Sequence, residues 1–393
     1  MITYEKIVTS IILCILMGIT FANVSFAQEE NDKKVKESVD TYISEQLNKI
    51  NLQEIQNQIK DEKFIEDVDL KTFMKDLISG KKTMLDLFDK EGLKLFLFDE
   101  LRASLKVASI IFVLALLSSI LKSLDNSFSS GAISQVTTYI VFIVMVTLTL
   151  VGFKDVLNIC NTTIDSMINL MQILMPILIT FLVVMGFPMT STVMTPIFMG
   201  GVTFINIVFK NFLFVSITIG FAILVINNLS NSIKLKKLAS FIKQINLITI
   251  GAIFTIYLAL VSMQGMYVKS LDGFAVKSTK FAIGNFIPVV GGFVSDSFDI
   301  ILSSSQLIKN LFGGVGLIIL IGICLIPIIK IISIILVYKT SAMIVEPVGE
   351  DSISNFLNEI SNLMAIMLAC IIAITIMFFV TIAIVVSISV VAQ

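Results

Sequence analysis

Gly313-Gly-Val-Gly-Leu-Ile-Ile-Leu-Ile-Gly-Ile-Cys-Leu-Ile-Pro-Ile-Ile-Lys-Ile-Ile-Ser-Ile-Ile-Leu-Val-Tyr338 runs for 26 residues and carries one charge, Lys330. A bilayer core needs about 20 apolar residues per helix. Within that core each backbone N–H and C=O must find its partner inside the protein, and a helix does so within the segment itself. Seven further stretches meet the same test, near 105–121, 133–153, 168–187, 193–209, 211–228, 245–266 and 362–391. The fold class expected is all-α, a polytopic helical membrane protein of about eight spans.

Composition agrees. Of 393 residues 56% are apolar and 15% charged, against about 25% charged in ordinary globular domains; the mean hydropathy is +0.96. There is no His and no Trp. Lack of His removes a Ser–His pair, His-ligated zinc or haem, and a His proton relay. A net charge of −1, without large-scale clustering by sign, leaves no footprint for nucleic acid. The expectation is a non-enzyme with no cofactor and no metal site.

The charges mark a boundary. Residues 28–100 hold 18 Asp/Glu and 12 Lys, which is 30 of the chain's 57 charges, so a polar segment precedes a hydrophobic body 101–393. Before it, Lys6, the apolar run Ile7 to Thr20 and Ser25-Phe26-Ala27 form the basic, hydrophobic and small-residue parts of a secretory signal, 1–27. An uncleaved first membrane helix is the alternative. Cys14 lies too early for lipoprotein cleavage, and Cys160, Cys324 and Cys370 have no metal-ligand spacing, so they are read as small core residues. In 28–100, Val35, Val39, Tyr42, Ile43, Leu47 and Ile50 repeat at helical spacing, as do Phe64, Val68, Phe73, Met74, Leu77 and Ile78. A third helix is expected over Met84 to Leu101. The segment is a helical stalk or an extracytoplasmic docking face.

Lys234, Lys236, Lys237 and Lys243 make the strongest basic cluster of the body, and positive charge favours the cytoplasmic side. Five crossings from an external residue 100 place it there too. Residues 267–312, with Gly284, Pro288, Gly291 and Gly292, are too interrupted for a plain span and too apolar for a solvated loop. A re-entrant pair lining a cavity is expected, with a surface-lying amphipathic linker as the alternative. Candidate cavity-lining residues are Gly284, Asn285, Pro288, Gly291, Gly292, Asp296 and Lys330. Lys210 separates two apolar runs and suits a tight turn, while Glu346 and Glu359 flank the last span. Pro176 and Pro288 superpose two spans in a weak internal repeat, of the kind seen in transporters.

The run Lys280-Phe-Ala-Ile-Gly-Asn-Phe-Ile-Pro-Val-Val-Gly-Gly292, followed by Ser295-Asp296, Ser303-Ser304-Ser305, Lys309-Asn310, Pro327 to Lys330, Tyr338 and Pro347-Val-Gly-Glu350, resembles the stage III sporulation protein AE family of endospore-forming bacteria. Pro347-Val348-Gly349-Glu350 departs mildly from the family's Pro-Leu-Gly-Asp. The likeness covers nearly the whole chain and brings no catalytic residue with it. It implies a membrane subunit of a channel or secretion-like complex between mother cell and engulfed forespore, in the mother-cell membrane surrounding the forespore. Implied partners are other proteins of the same operon (a cytoplasmic ATPase, ring-forming and small membrane subunits) and a forespore membrane protein. Membrane lipid surrounds the body, and self-association stays open. The residues themselves leave a substrate-specific permease as the alternative function. An intramembrane protease is disfavoured by the absent His and by the lack of an aspartyl motif around Asp272-Gly273.

Overall fold

The computed structural model describes residues 132–229, 235–286, 291–348 and 351–388, with a few residues between 72 and 120; side chains are described over 139–229, 235–263, 301–347 and 351–388. The expected signal segment 1–27 and nearly all of 28–100 lie outside the described residues. Phe73, on the apolar line expected over 64–78, is fully buried.

Among the described residues five long helices make up the body: α1 Ala132–Val184, α2 Pro188–Leu229, α3 Lys236–Phe286, α4 Gly291–Val345 and α5 Asp351–Ser387; part of the expected span 105–121 lies outside the described residues. No strand occurs among the described residues. Each helix holds a stretch long and apolar enough to cross a membrane, so the all-α, multi-pass reading stands.

The helices are longer than the apolar runs suggested. Runs 133–153 and 168–187 lie in one helix, α1, and 193–209 and 211–228 lie in one helix, α2. Polar residues between the first pair do not end α1, because they satisfy themselves on their own helix. Asn161 Nδ2 donates to the Leu157 carbonyl at 3.0 Å, Thr162 Oγ1 to Asn158 at 3.0 Å and Thr163 Oγ1 to Ile159 at 2.7 Å. At Lys210 the expected turn is a correction. The helix widens there into a π-helical segment, Ile207–Leu213, and continues.

Where the chain does turn, the chemistry is local. Gly186 has φ 84°, a left-handed conformation that glycine adopts without a Cβ clash. Its N–H donates to Val183 and the Phe187 N–H to Leu182, which is the Schellman arrangement for a helix C-terminus. Pro188 then opens α2, where its missing N–H costs nothing. The interrupted region 267–312 is also more regular than its composition suggested. Helix α3 runs to Phe286 and α4 starts at Gly291, so any break is confined to 287–290. A helical Gly costs about 1 kcal/mol, which a long helix absorbs; Pro288 lies outside the described residues.

Helices α1 and α2, and helices α4 and α5, pack antiparallel. Phe153 stacks on Phe221, and Asp165 meets Lys210, so α1 and α2 zip back from Gly186. Thr375 meets Cys324, Ser354 binds the Ala342 carbonyl, and Lys309 reaches Val385 and Ile388; α5 therefore runs back along α4. Helix α5 is central, packing on α1, α2, α3 and α4. Its buried face is apolar, with Phe356, Met364, Cys370, Met377 and Phe378 all fully enclosed. Cys160, Cys324 and Cys370 are buried free thiols, as expected of core residues.

Candidate functional site

Two groups of polar side chains stand out among the described residues of this apolar body. The first is on its outside. Lys154, Asp155, Asn158, Thr162, Asp165 and Asn169 are all exposed, and the steps of three or four residues that follow the adjacent pair Lys154-Asp155 put them on one stripe of α1. Across the hairpin, the π segment of α2 brings Lys210 to this stripe. Its Nζ donates to both Asp165 oxygens, at 2.6 and 2.7 Å. A π turn holds one more residue than an α turn and is frequent at functional positions; here it positions the only charge on α2. The pair is not sealed, since the Asp165 side chain is 53% exposed and Lys210 23%.

The interior behind this stripe is of another kind. Thr375 Oγ1 donates to Cys324 Sγ at 3.1 Å, Cys324 Sγ lies 3.3 Å from Met167 Sδ, and apolar side chains surround them. Further along, Tyr257 Oη and Thr381 Oγ1 share a buried hydrogen bond of 2.8 Å. These groups pair with one another and leave no constellation of acid, base and nucleophile. No group of three or more His, Cys, Asp or Glu suited to a metal ion occurs among the described residues.

The second feature is buried at one end of the bundle. Lys309 is fully enclosed and donates to the carbonyls of Val385 and Ile388. Helix C-termini leave carbonyls without intrahelical donors, and a cation there also meets the negative end of the helix dipole. Lys309 thus caps α5 from a neighbouring helix. Beside it the Ser304 and Ser305 hydroxyls and the Asn310 carbonyl oxygen are buried without a hydrogen-bond partner.

Of the residues expected to line a cavity, only Lys330 has a described side chain. Gly284 and Asn285 lie in the last turns of α3, while Gly291, Gly292 and Asp296 lie in the first turns of α4. Pro288 lies outside the described residues. Lys330 is half-buried in the middle of α4, roughly 57 Å along the helix from Gly292 at 1.5 Å per residue, and belongs to a different level. Glu346 begins a short 3-10 turn, and Glu359 on α5 lies within electrostatic reach of Lys243. Sequence reasoning missed Asp165, whose partner is 45 residues away, and the burial of Lys309. A polar interval recurring every three or four residues between two apolar runs was the available signal for the first.

The family described as Stage III sporulation protein AE matches this chain over residues 68–389. Stage III sporulation protein AE of Bacillus subtilis (strain 168) is 27% identical over 312 residues, covering 79% of this chain and 78% of that protein. No solved structure matches. With a match over most of its length and a multi-pass helical body, the chain belongs to the stage III sporulation protein AE family and is a membrane protein of sporulation.

Proposed function

We propose that the protein is a non-catalytic membrane subunit of a channel or secretion-like complex between mother cell and forespore, placed in the mother-cell membrane around the forespore. One observation carries the reading. The ionisable belt Lys154–Asp155–Asp165–Lys210 faces outward, while the bundle interior behind it is packed with apolar and sulfur-containing side chains. A solitary permease binds its substrate near the midplane, between repeats or at unwound helices inside the bundle. Here the polar surface at mid-height is turned toward whatever surrounds the chain, which suits a subunit of a larger assembly. The segment 28–100, if extracytoplasmic, supplies a docking face for ring-forming proteins.

Purification of the tagged protein from sporulating cells in mild detergent is the test. A cytoplasmic ATPase and ring-forming sporulation proteins should co-purify, and the isolated protein in proteoliposomes should move no small solutes. Recovery as a lone species, together with solute flux from the isolated protein, would replace this reading with the permease.

A further inference from the structure

The outer face of the α1–α2 hairpin poses a problem of height. Exposed apolar side chains run from Ile140, Ile143 and Val151 at one end to Val184, Met189 and Met199 at the other. From Ile140 to Val184 that is roughly 66 Å of helix at 1.5 Å per residue, and a hydrocarbon core is about 30 Å thick. The charged belt sits between the two apolar halves. If the bilayer is centred on the belt, two cations and two anions face lipid, where ionisable groups are rare and almost always turned to protein or a water-filled cavity. If it is centred on either half, the other half stands in water. A protein cover over the face resolves both placements.

We propose that this face is the contact between two copies of the chain. The argument is the charge pattern. The belt carries Lys154 and Lys210 with Asp155 and Asp165, and the amides of Asn158 and Asn169 both donate and accept hydrogen bonds. A two-fold interface sets the same patch opposite itself, so it must be self-complementary. Because Lys154 and Asp155 are adjacent, each copy presents a cation where the other presents an anion. A foreign partner would need no such balance of signs. The inference stands whether the assembled protein is a conduit subunit or a permease.

The test uses the full chain in intact membranes. Thr162→Cys, in the middle of the exposed stripe, should give a disulfide-linked dimer on mild copper-catalysed air oxidation. The unsubstituted protein, whose described cysteines are buried, and Ile248→Cys on the exposed side of α3 (62% exposed) should give none. In the Thr162→Cys background, Lys154→Glu and Asp155→Lys should each lower the dimer yield about tenfold, since like charges then meet across the contact. Co-expressed with different tags, those two variants should cross-link to each other at the parental yield, which also shows that both fold. Absence of dimer from Thr162→Cys in protein inserted at normal amounts would overturn the proposal. So would a yield indifferent to both charge reversals, failure of the mixed pair to recover, or cross-linking to a different protein alone.

Discussion

Lys309, Lys210 and Lys330 are three lysines in apolar sequence with three different solutions to the cost of a charge. Lys330 is half-buried, so its long stem can lie along apolar surface while the ammonium reaches outward. Lys210 takes a carboxylate across a helix hairpin. Lys309 is enclosed and answers the carbonyls that end α5. Removing its ammonium while keeping the length of the side chain tests that role. Lys309→Met leaves the Val385 and Ile388 carbonyls without this donor. Two charge-assisted hydrogen bonds of about 1.5 kcal/mol each put the cost near 3 kcal/mol. The Tm of the purified protein in detergent should fall accordingly. An unchanged Tm would mean that the lysine is incidental to the fold.

Between elements, small residues set how closely the helices approach. A Cβ at Gly316 of α4 would run into Leu174 of α1, and one at Gly313 into Val386 of α5. The rows of α4 that carry these glycines therefore sit directly against two neighbours, as at helix contacts within membranes generally. Gly316→Ala should cost about 1–3 kcal/mol by overpacking. Adding Leu174→Ala should recover part of that loss, because the two sites share one contact. Gly251→Ala is the control: no atom lies within 4 Å of the position a Cβ would take, so only the helix preference for Ala over Gly acts, about 1 kcal/mol, and the thermal midpoint should rise by a few degrees. Equal losses at Gly316 and Gly251 would show that helix contact is not what selects glycine.

At the scale of the whole molecule, joining four expected spans into α1 and α2 changes the crossing count but not its parity. Each of the two mergers removes one crossing, two in all, so residues 230–235 keep the side that Lys234, Lys236 and Lys237 prefer. With residue 100 outside, α3 then starts at the cytoplasmic face with Lys236, Lys237 and Lys243. A phosphatase reporter fused at residue 60 should be active, and one fused near Lys236 inactive. Activity at the second position would reverse the body and move the junction of α3 and α4 to the opposite side. Replacing Lys234, Lys236, Lys237 and Lys243 with Gln should weaken the preference, because the cue is charge and not packing.

The sequence alone determined that the chain is helical and multi-pass, because long apolar runs leave the backbone no other way to satisfy its polar groups in hydrocarbon. It also determined the family, through runs such as 280–292, and the burial of the three cysteines. Composition could not say where a helix ends. The polar interval 154–165 looks like a loop until its side chains are seen to bond their own helix, and Gly284 to Gly292 looks like an extended break until all but residues 287–290 prove helical. Only the tertiary structure decided which charges meet. Asp165 and Lys210 come together because the Schellman turn at Gly186 brings α2 back along α1, and Lys309 reaches Val385 and Ile388 because α5 returns beside α4. Such pairings depend on turn position and helix phase over dozens of residues, and a local pattern of residue types carries neither.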